Sequence, residues 1–411
     1  MIDLSVNFAG VELKNPLVVA SADIGRDIRQ IRKAEEFGAS AVIVKGMLPD
    51  YSSELNSIMR ALLDEKGHTV YGSAGASRLS YTQGVEVIKA AKKETQMKIG
   101  ACIPYLPLTD RGIIAEAAKR AVKAGADFIE VNFKPQVTNY LSAMEKIAGR
   151  TSGAEMDADE VGEQMRNLLS QISEGVRRMK QAVDVPVLAK LSPDGVDVLS
   201  QAMVARKAGV DAIDAIGSMN GAFKIDIHDG GKMTIPCART GVFLLSGTLL
   251  KPYSQNAVAR ISKALDVPVL GTGGLMSWTD VVEMLMFGAT AVSFCSLLML
   301  EGFEALQKVE RGLRKYMEQH DYRKLEDFRN AALNYIAPSM ADCDVISSVA
   351  KVDREKCNNC GRCLRLGHCI AISLADQKVE VNETECLGCG ACFTVCPNNA
   401  VSMVELESQR N

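Results

Sequence analysis

Up to about residue 320, short apolar runs rich in β-branched residues alternate with amphipathic segments. The runs at 16–22, 41–46, 98–104, 127–133, 185–191, 211–217, 267–274 and 291–296 are apolar almost throughout and end in small or polar residues. A strand without in–out alternation is buried on both faces, as in a parallel sheet covered by helices. Helical periodicity follows most of the runs, for example IIAEAAKRAVKAG at 113–125 and WTDVVEMLMFG at 278–288. A phrase recurs before four of the strands: FGAS at 37–40, AGAD at 124–127, AGVD at 208–211 and FGAT at 287–290. Its glycine reads as a helix C-cap.

Eight such units over about 300 residues predict a (β/α)8 TIM barrel, placed at 1–320. The competing architecture is an open doubly wound sheet, but no strand runs into a GxGxxG dinucleotide turn. In a barrel the chemistry sits at the C-terminal strand ends. Position alone therefore singles out Ser21, Lys45, Asn132, Lys190, Gly217, Gly273 and Ser296. Three stretches, 47–97, 134–165 and 218–247, are long enough to read as functional loops, the last with HDGG at 228–231 as a turn. Residues 321–350 read as a helical linker, and 351–411 as a second domain.

The 411 residues are 47% apolar and 24% charged with a net charge of -3, which suits a soluble enzyme and favours neither nucleic acid nor an anionic membrane surface. The start, MIDLSVNFAG, lacks the basic and apolar regions of a signal peptide. No run approaches the ~18 apolar residues of a membrane span, so a cytoplasmic protein is expected. Of the 12 cysteines, eight crowd between Cys357 and Cys396. Clustered thiols in such a chain point to metal and not to disulfides.

These eight define the second domain. Cys357, Cys360 and Cys363 form one triplet followed by Cys369; Cys386, Cys389 and Cys392 form another, followed by Cys396-Pro397. The second run is C-x2-C-x2-C-x3-C-P, in which three thiolates clamp one cluster and the fourth crosses to the other. The spacing predicts a ferredoxin-like domain with two [4Fe–4S] clusters, one on Cys357, Cys360, Cys363 and Cys396, the other on Cys386, Cys389, Cys392 and Cys369. The first run departs from the usual form, with five residues before its fourth cysteine and Ile370 in place of proline. Triplets with a trailing Cys-Pro do not fit a zinc ribbon.

A barrel joined to clusters calls for a redox partner inside it. GTGG at 271–274 follows a strand and precedes a helix, so its amides can cradle a phosphate. LSG at 245–247 offers a second such turn. Glycine turns also close many βα units for packing reasons alone.

Together with ASA at 20–22, VIVKG ending at 46, EVNFKPQ at 130–136, LAKLSP at 188–193, LSGTLLKP at 245–252 and GTGGLMSWTDVVEMLMFGAT at 271–290, these motifs resemble the FMN barrels of the dihydroorotate dehydrogenase class. With the clusters included, the likeness runs to its dihydropyrimidine dehydrogenase branch over nearly the full length. The resemblance implies an FMN oxidoreductase acting on CH–CH bonds. It places Ala20, Ser21 and Ala22 against the flavin ring, and Lys45 and Lys190 on the ring and ribityl chain. Ser246, Gly247, Gly273, Gly274, Cys295 and Ser296 would hold the phosphate end, and Asn132 would face flavin and substrate. A salt bridge to the helix layer is the plain alternative for Lys45. Electrons would arrive from an FAD/NAD(P)H reductase subunit or a ferredoxin, in a homo- or hetero-oligomer.

Two departures bear on the substrate. The family's Ser-Cys pair, which marks its acid–base loop, is missing from Asn132-Phe133-Lys134-Pro135, leaving Lys134, Tyr140 and Ser152 as candidate acids. Where the family shows Asn-Thr after strand 6, this chain reads Gly217-Ser218. A site lacking its hydrogen-bonding partners rejects the substrate they served, so a small molecule other than a pyrimidine is expected. A non-catalytic electron-transfer subunit, or a lyase or isomerase barrel whose GTGG holds a substrate phosphate, are the alternatives.

Overall fold

The computed structural model describes residues 2–50, 58–63, 69–74, 79–105, 112–134, 158–221, 225–233, 243–337 and 346–406. It divides into two compact units, Met1–Ile336 and Ala337–Asn411.

The first unit is a closed barrel of eight strands. In chain order they are β1 (Leu17–Val19), β2 (Ala41–Val44), β3 (Lys98–Pro104), β4 (Phe128–Asn132), β5 (Val187–Lys190), β6 (Ala212–Ala215), β7 (Val269–Thr272) and β8 (Ala291–Phe294). Each pairs in parallel with its sequence neighbours, and β8 closes on β1. All eight apolar runs are the barrel strands, trimmed at their ends. The connecting helices are α1 (Ile28–Glu36), α2 (Tyr81–Glu94), α3 (Ile113–Lys123), α4 (Ala158–Ala182), α5 (Val198–Lys207), α6 (Lys251–Ala264) and α7 (Trp278–Met286), with α8 (Ser296–Glu301) and α9 (Ala305–Gln319) after β8. Asp27, Ser80, Asp197 and Ser277 cap the helices that follow them by accepting a backbone N–H.

Registry fixes what shares a level. Asn132 lies opposite Lys190, Lys190 opposite Asp214, and Thr272 opposite Ser293. Among the described residues no helix is long and apolar enough to cross a membrane.

Two of the expected loops, 47–97, for which some structure is expected, and 218–247, share one sheet. Strands at Met219–Gly221, Phe243–Ser246, Thr69–Ala74 and Ile58–Leu63 form a four-stranded antiparallel sheet, in that order, from the connections after β6 and β2. Backbone pairing between segments far apart in sequence leaves no local periodic signal, so the chain gives no notice of it. HDGG does turn a hairpin, joining Ile225–Asp226 to Lys232–Met233, with Gly230 and Gly231 at positive φ. Part of the expected linker belongs to the barrel unit: Leu325 and Phe328 are buried, and Phe328 stacks on Tyr322 and meets Tyr316 edge-on.

The second unit pairs Ser348–Val352 with Val401–Glu405, and Ile372–Ala375 with Lys378–Val381. Its apolar centre is small, with Ala350, Cys392 and Val401 buried and Cys363, Cys386 and Cys396 packed beside them.

The recurring glycines end helices in the left-handed region, with φ of 101° at Gly38, 107° at Gly125, 95° at Gly209 and 110° at Gly288. A Cβ on Gly209 meets nothing within 4 Å, whereas on Gly288 it would lie 2.4 Å from the Ser262 Cβ. We predict that Gly209→Ala costs about 1–2 kcal/mol from backbone strain alone and Gly288→Ala more. Urea unfolding of both variants checks this; equal losses would refute the steric part.

Candidate functional site

The C-terminal strand ends meet at one mouth, and a cleft of about 160 Å³ occupies it. Ala20, Ser21 and Ala22 follow β1, Lys45 follows β2, Asn132 and Lys190 end β4 and β5, Gly273 and Gly274 follow β7, and Cys295 and Ser296 follow β8. All of them line the cleft, as do Lys134, Gly217, Ser218 and Ser246. Gly247 stands beside Ser246 at φ 90° but not in the cleft wall. Tyr140 and Ser152 lie outside the described residues.

The small residues here are sterically required. Gly273 and Gly274 have φ of 118° and 81°, and a Cβ on Gly274 would lie 2.4 Å from the Lys251 backbone N. This turn, with Leu275, lies on the cleft wall and leads into α7. Ser246 and Ser296 hydroxyls pair at 3.1 Å on the same wall.

Among the described residues, the charged side chains on the wall are Lys45, Lys134 and Lys190; their acidic partners stand behind them. Lys45 Nζ is 3.5 Å from Asp23, a salt bridge that holds the ammonium at the cleft. Lys134 donates to Asp194, which also accepts the Asn220 backbone N–H at 3.1 Å. Burial pulls the Lys134 ammonium below its ordinary range, with Asp194 opposing the shift. Burial pushes the Cys295 thiol up to about 11 against the pull of Lys45 and Lys190, so it is a neutral thiol at pH 7.

Lys190 stands between two buried acids. Its Nζ donates to Asp214 at 2.7 Å and lies 3.4 Å from both Glu130 and the Ser21 hydroxyl. Ser21 donates to Glu130 at 2.6 Å; Thr272 donates to Asp214 and pairs with Ser293 at 2.7 Å. Glu130 and Asp214 are fully buried. Burial pushes the Lys190 ammonium down, yet the two carboxylates outweigh it and hold the group above its usual range. Burial pushes Asp214 up, and the charge of Glu130 adds to that against the pull of Lys190, to about 7. Burial also acts to raise Glu130, but Lys190 and hydrogen bonds from Asp214, Ser21 and Cys102 bring it below the usual carboxylate range.

Sequence reasoning passed over Glu130, Asp214, Asp194, Thr272 and Ser293. A signal was available for the first two, since each is a lone acid inside a buried apolar strand, where a charge needs a partner.

In the second unit, Cys357, Cys360, Cys363 and Cys396 line one cavity. Cys369, Cys386, Cys389 and Cys392 line another. Among the described residues no three acidic, His or Cys side chains close tightly enough to hold a single metal ion. Backbone N–H groups of Ala350 and Ala400 point at the Cys386 and Cys396 sulfurs, 3.5 and 3.2 Å away. His368 Nε2 is 3.3 Å from Cys389 Sγ. Gly361, Gly388 and Gly390 take positive φ between the thiols, which lets the backbone fold around each cavity.

The dihydroorotate dehydrogenase family model matches residues 3–317, and a 4Fe-4S binding domain matches 379–402. The chain is 28% identical over 335 residues to the catalytic subunit of dihydroorotate dehydrogenase B (NAD(+)) from Pyrococcus abyssi (strain GE5 / Orsay), covering 80% of this chain and 99% of that one. The same enzyme's subunit from Thermococcus kodakarensis is 27% identical, covering 80% and 98%. The NAD-dependent dihydropyrimidine dehydrogenase subunit PreA of Escherichia coli (strain K12) is 25% identical over 369 residues, covering 88% of this chain and 84% of that one.

Asp214 sits above its unfolded value of roughly 3.9. Its contribution to folding is therefore fully present below pH 4 and drains away as pH rises through about 7. We predict that Lys190→Met, which leaves two buried acids without a counter-charge, costs about 3–5 kcal/mol near neutrality and less toward pH 5, where those acids are protonated. Denaturant unfolding across pH 5–8 measures it; a pH-independent loss would rule the account out.

Proposed function

The chain belongs to the dihydroorotate dehydrogenase family, and from that premise we propose that it is an FMN-dependent oxidoreductase joining [4Fe–4S] clusters to a C=C or C–C bond of a small molecule. The observation that carries this reading is the single cleft at the barrel mouth, which gathers the residues a flavin needs from six separate strand ends. The fit rests on chemistry of the wall itself. Gly273 and Gly274 stand on one side, Lys45, Lys134 and Lys190 lie among small and apolar residues such as Ala20, Ile216 and Leu250, and among the described residues no carboxylate borders the space.

In this reading Ser246, Gly247, Gly273, Gly274, Cys295 and Ser296 hold the phosphate end. Ala20, Ser21 and Ala22 lie against the ring, while Lys45, Lys190 and Asn132 meet its polar edge. When bound, FMN supplies two-electron hydride chemistry, and the clusters supply one-electron transfer. Lys45 and Lys190 place fixed positive charge where a reduced ring gathers negative charge, at no reorganisation cost. Their acids, set behind the wall, orient the ammonium groups without entering the cleft. The proton donor to substrate is Lys134, Tyr140 or Ser152. Of these Lys134 lines the cleft, and its burial, which outweighs the opposing pull of Asp194, makes its proton easier to release.

The two cysteine quartets would each hold one [4Fe–4S] cluster, with nearby N–H groups tuning its potential. Without a dinucleotide turn the chain would draw electrons from a separate FAD/NAD(P)H reductase subunit or ferredoxin, within an oligomer in the cytoplasm. The missing Ser-Cys pair and the Gly217-Ser218 turn support a substrate other than a pyrimidine.

We predict that anaerobically purified protein carries FMN and iron and sulfide sufficient for two clusters. Colourless protein, or zinc in place of iron, would end this reading. We also predict that uracil, thymine and orotate reoxidise the reduced flavin slowly or not at all; rapid turnover with uracil or thymine would overturn the changed substrate. A flavin spectrum that no small molecule perturbs would favour the electron-transfer subunit instead.

A further inference from the structure

The barrel interior holds a charge imbalance that the proposed flavin chemistry does not use. Lys190 on β5 faces Glu130 on β4 and Asp214 on β6. Among the described residues, the Ser21, Thr272 and Ser293 hydroxyls and the Cys102 and Cys295 thiols also pack around this cluster. The nearby Lys45 already answers Asp23. One ammonium therefore faces two carboxyl groups, all deep in the barrel.

Two observations bear on how that imbalance is resolved. Both acids are 0% exposed, and an unpaired charge in such a place is costly. Lys190 Nζ reaches both of them, 2.7 Å from Asp214 and 3.4 Å from Glu130. With both acids ionised, that single ammonium leaves one buried negative charge unanswered, and a proton on one of them removes it.

We propose that Glu130 and Asp214 hold one proton between them, and that this proton, exchanged with solvent, sets the charge Lys190 presents to the cleft. With the proton in place, the ammonium and a single carboxylate balance. When it leaves, an O–H bond breaks, the proton goes to water, and the cluster behind the cleft floor becomes net negative. The field that Lys190 sends into the cleft then weakens. Linkage is reciprocal, so an electron-rich or anionic group seated on Lys190 draws the proton back onto the pair. The value of about 7 for Asp214 sets this exchange within the physiological range. The proton count stands without any cofactor; its consequence for the cleft rests on the flavin reading.

Infrared spectroscopy of the intact protein tests the count. At pH 6 the wild type should show the carbonyl band of a buried, protonated carboxylic acid that shifts in D2O and fades as pH rises through neutrality. Glu130→Gln and Asp214→Asn should each abolish it, because the remaining carboxylate then pairs alone with Lys190. A wild type without the band, or a band that survives both substitutions, overturns the proposal. Should either variant fail to fold, the wild-type band and its pH titration decide by themselves.

FMN affinity measured from pH 6 to pH 8 tests the consequence. It should fall roughly tenfold in the wild type, one unit of proton coupling, and stay flat in Asp214→Asn. A flat wild-type profile overturns the coupling. Protein that binds no FMN defeats the flavin reading, and the infrared band still decides whether the proton is shared.

Discussion

Closure of a parallel sheet is the constraint on which the rest depends. Eight strands running the same way leave eight C-terminal ends at one rim. Residues as distant in sequence as Ser21 and Glu130, 109 positions apart, are brought within hydrogen-bonding distance by that closure. The cleft is a consequence, because residues at or just past the strand ends, Ala20, Lys45, Asn132, Lys190 and Gly273 among them, are too small or too polar to continue the apolar core.

The same closure explains why the charges are arranged in depth. A barrel interior tolerates an ammonium only beside acids, and neighbouring strands in register supply them: Lys190 stands directly opposite Asp214. Lysines reach the cleft on flexible stems while their shorter acidic partners stay behind. A wall of positive charge backed by buried negative charge results, suited to an electron-rich guest. Its strength depends on how many of the acids are ionised.

The second unit follows a different logic. Its buried apolar residues, Val349, Ala350, Ala371, Val379, Cys392, Ala400 and Val401 among those described, are few and mostly small for a chain of this size. Two cavities ringed by four sulfurs each occupy the place a core would take. Metal ligation there would supply folding free energy as well as redox function.

Much of this molecule is legible in the chain itself, because the signals are local. Strand runs, glycine caps and thiol spacing each lie within a dozen or so residues of chain, and the eight runs are the eight strands. Strand ends are identifiable as site positions for the same reason. Sequence alone thus determined the architecture, the clustered cysteines and most of the residues at the mouth. Tertiary structure alone decided the partners: Glu130 and Asp214 around Lys190, Asp194 behind Lys134, and an antiparallel sheet built from two distant connections. Those contacts depend on registry between strands, which no periodicity along the chain encodes.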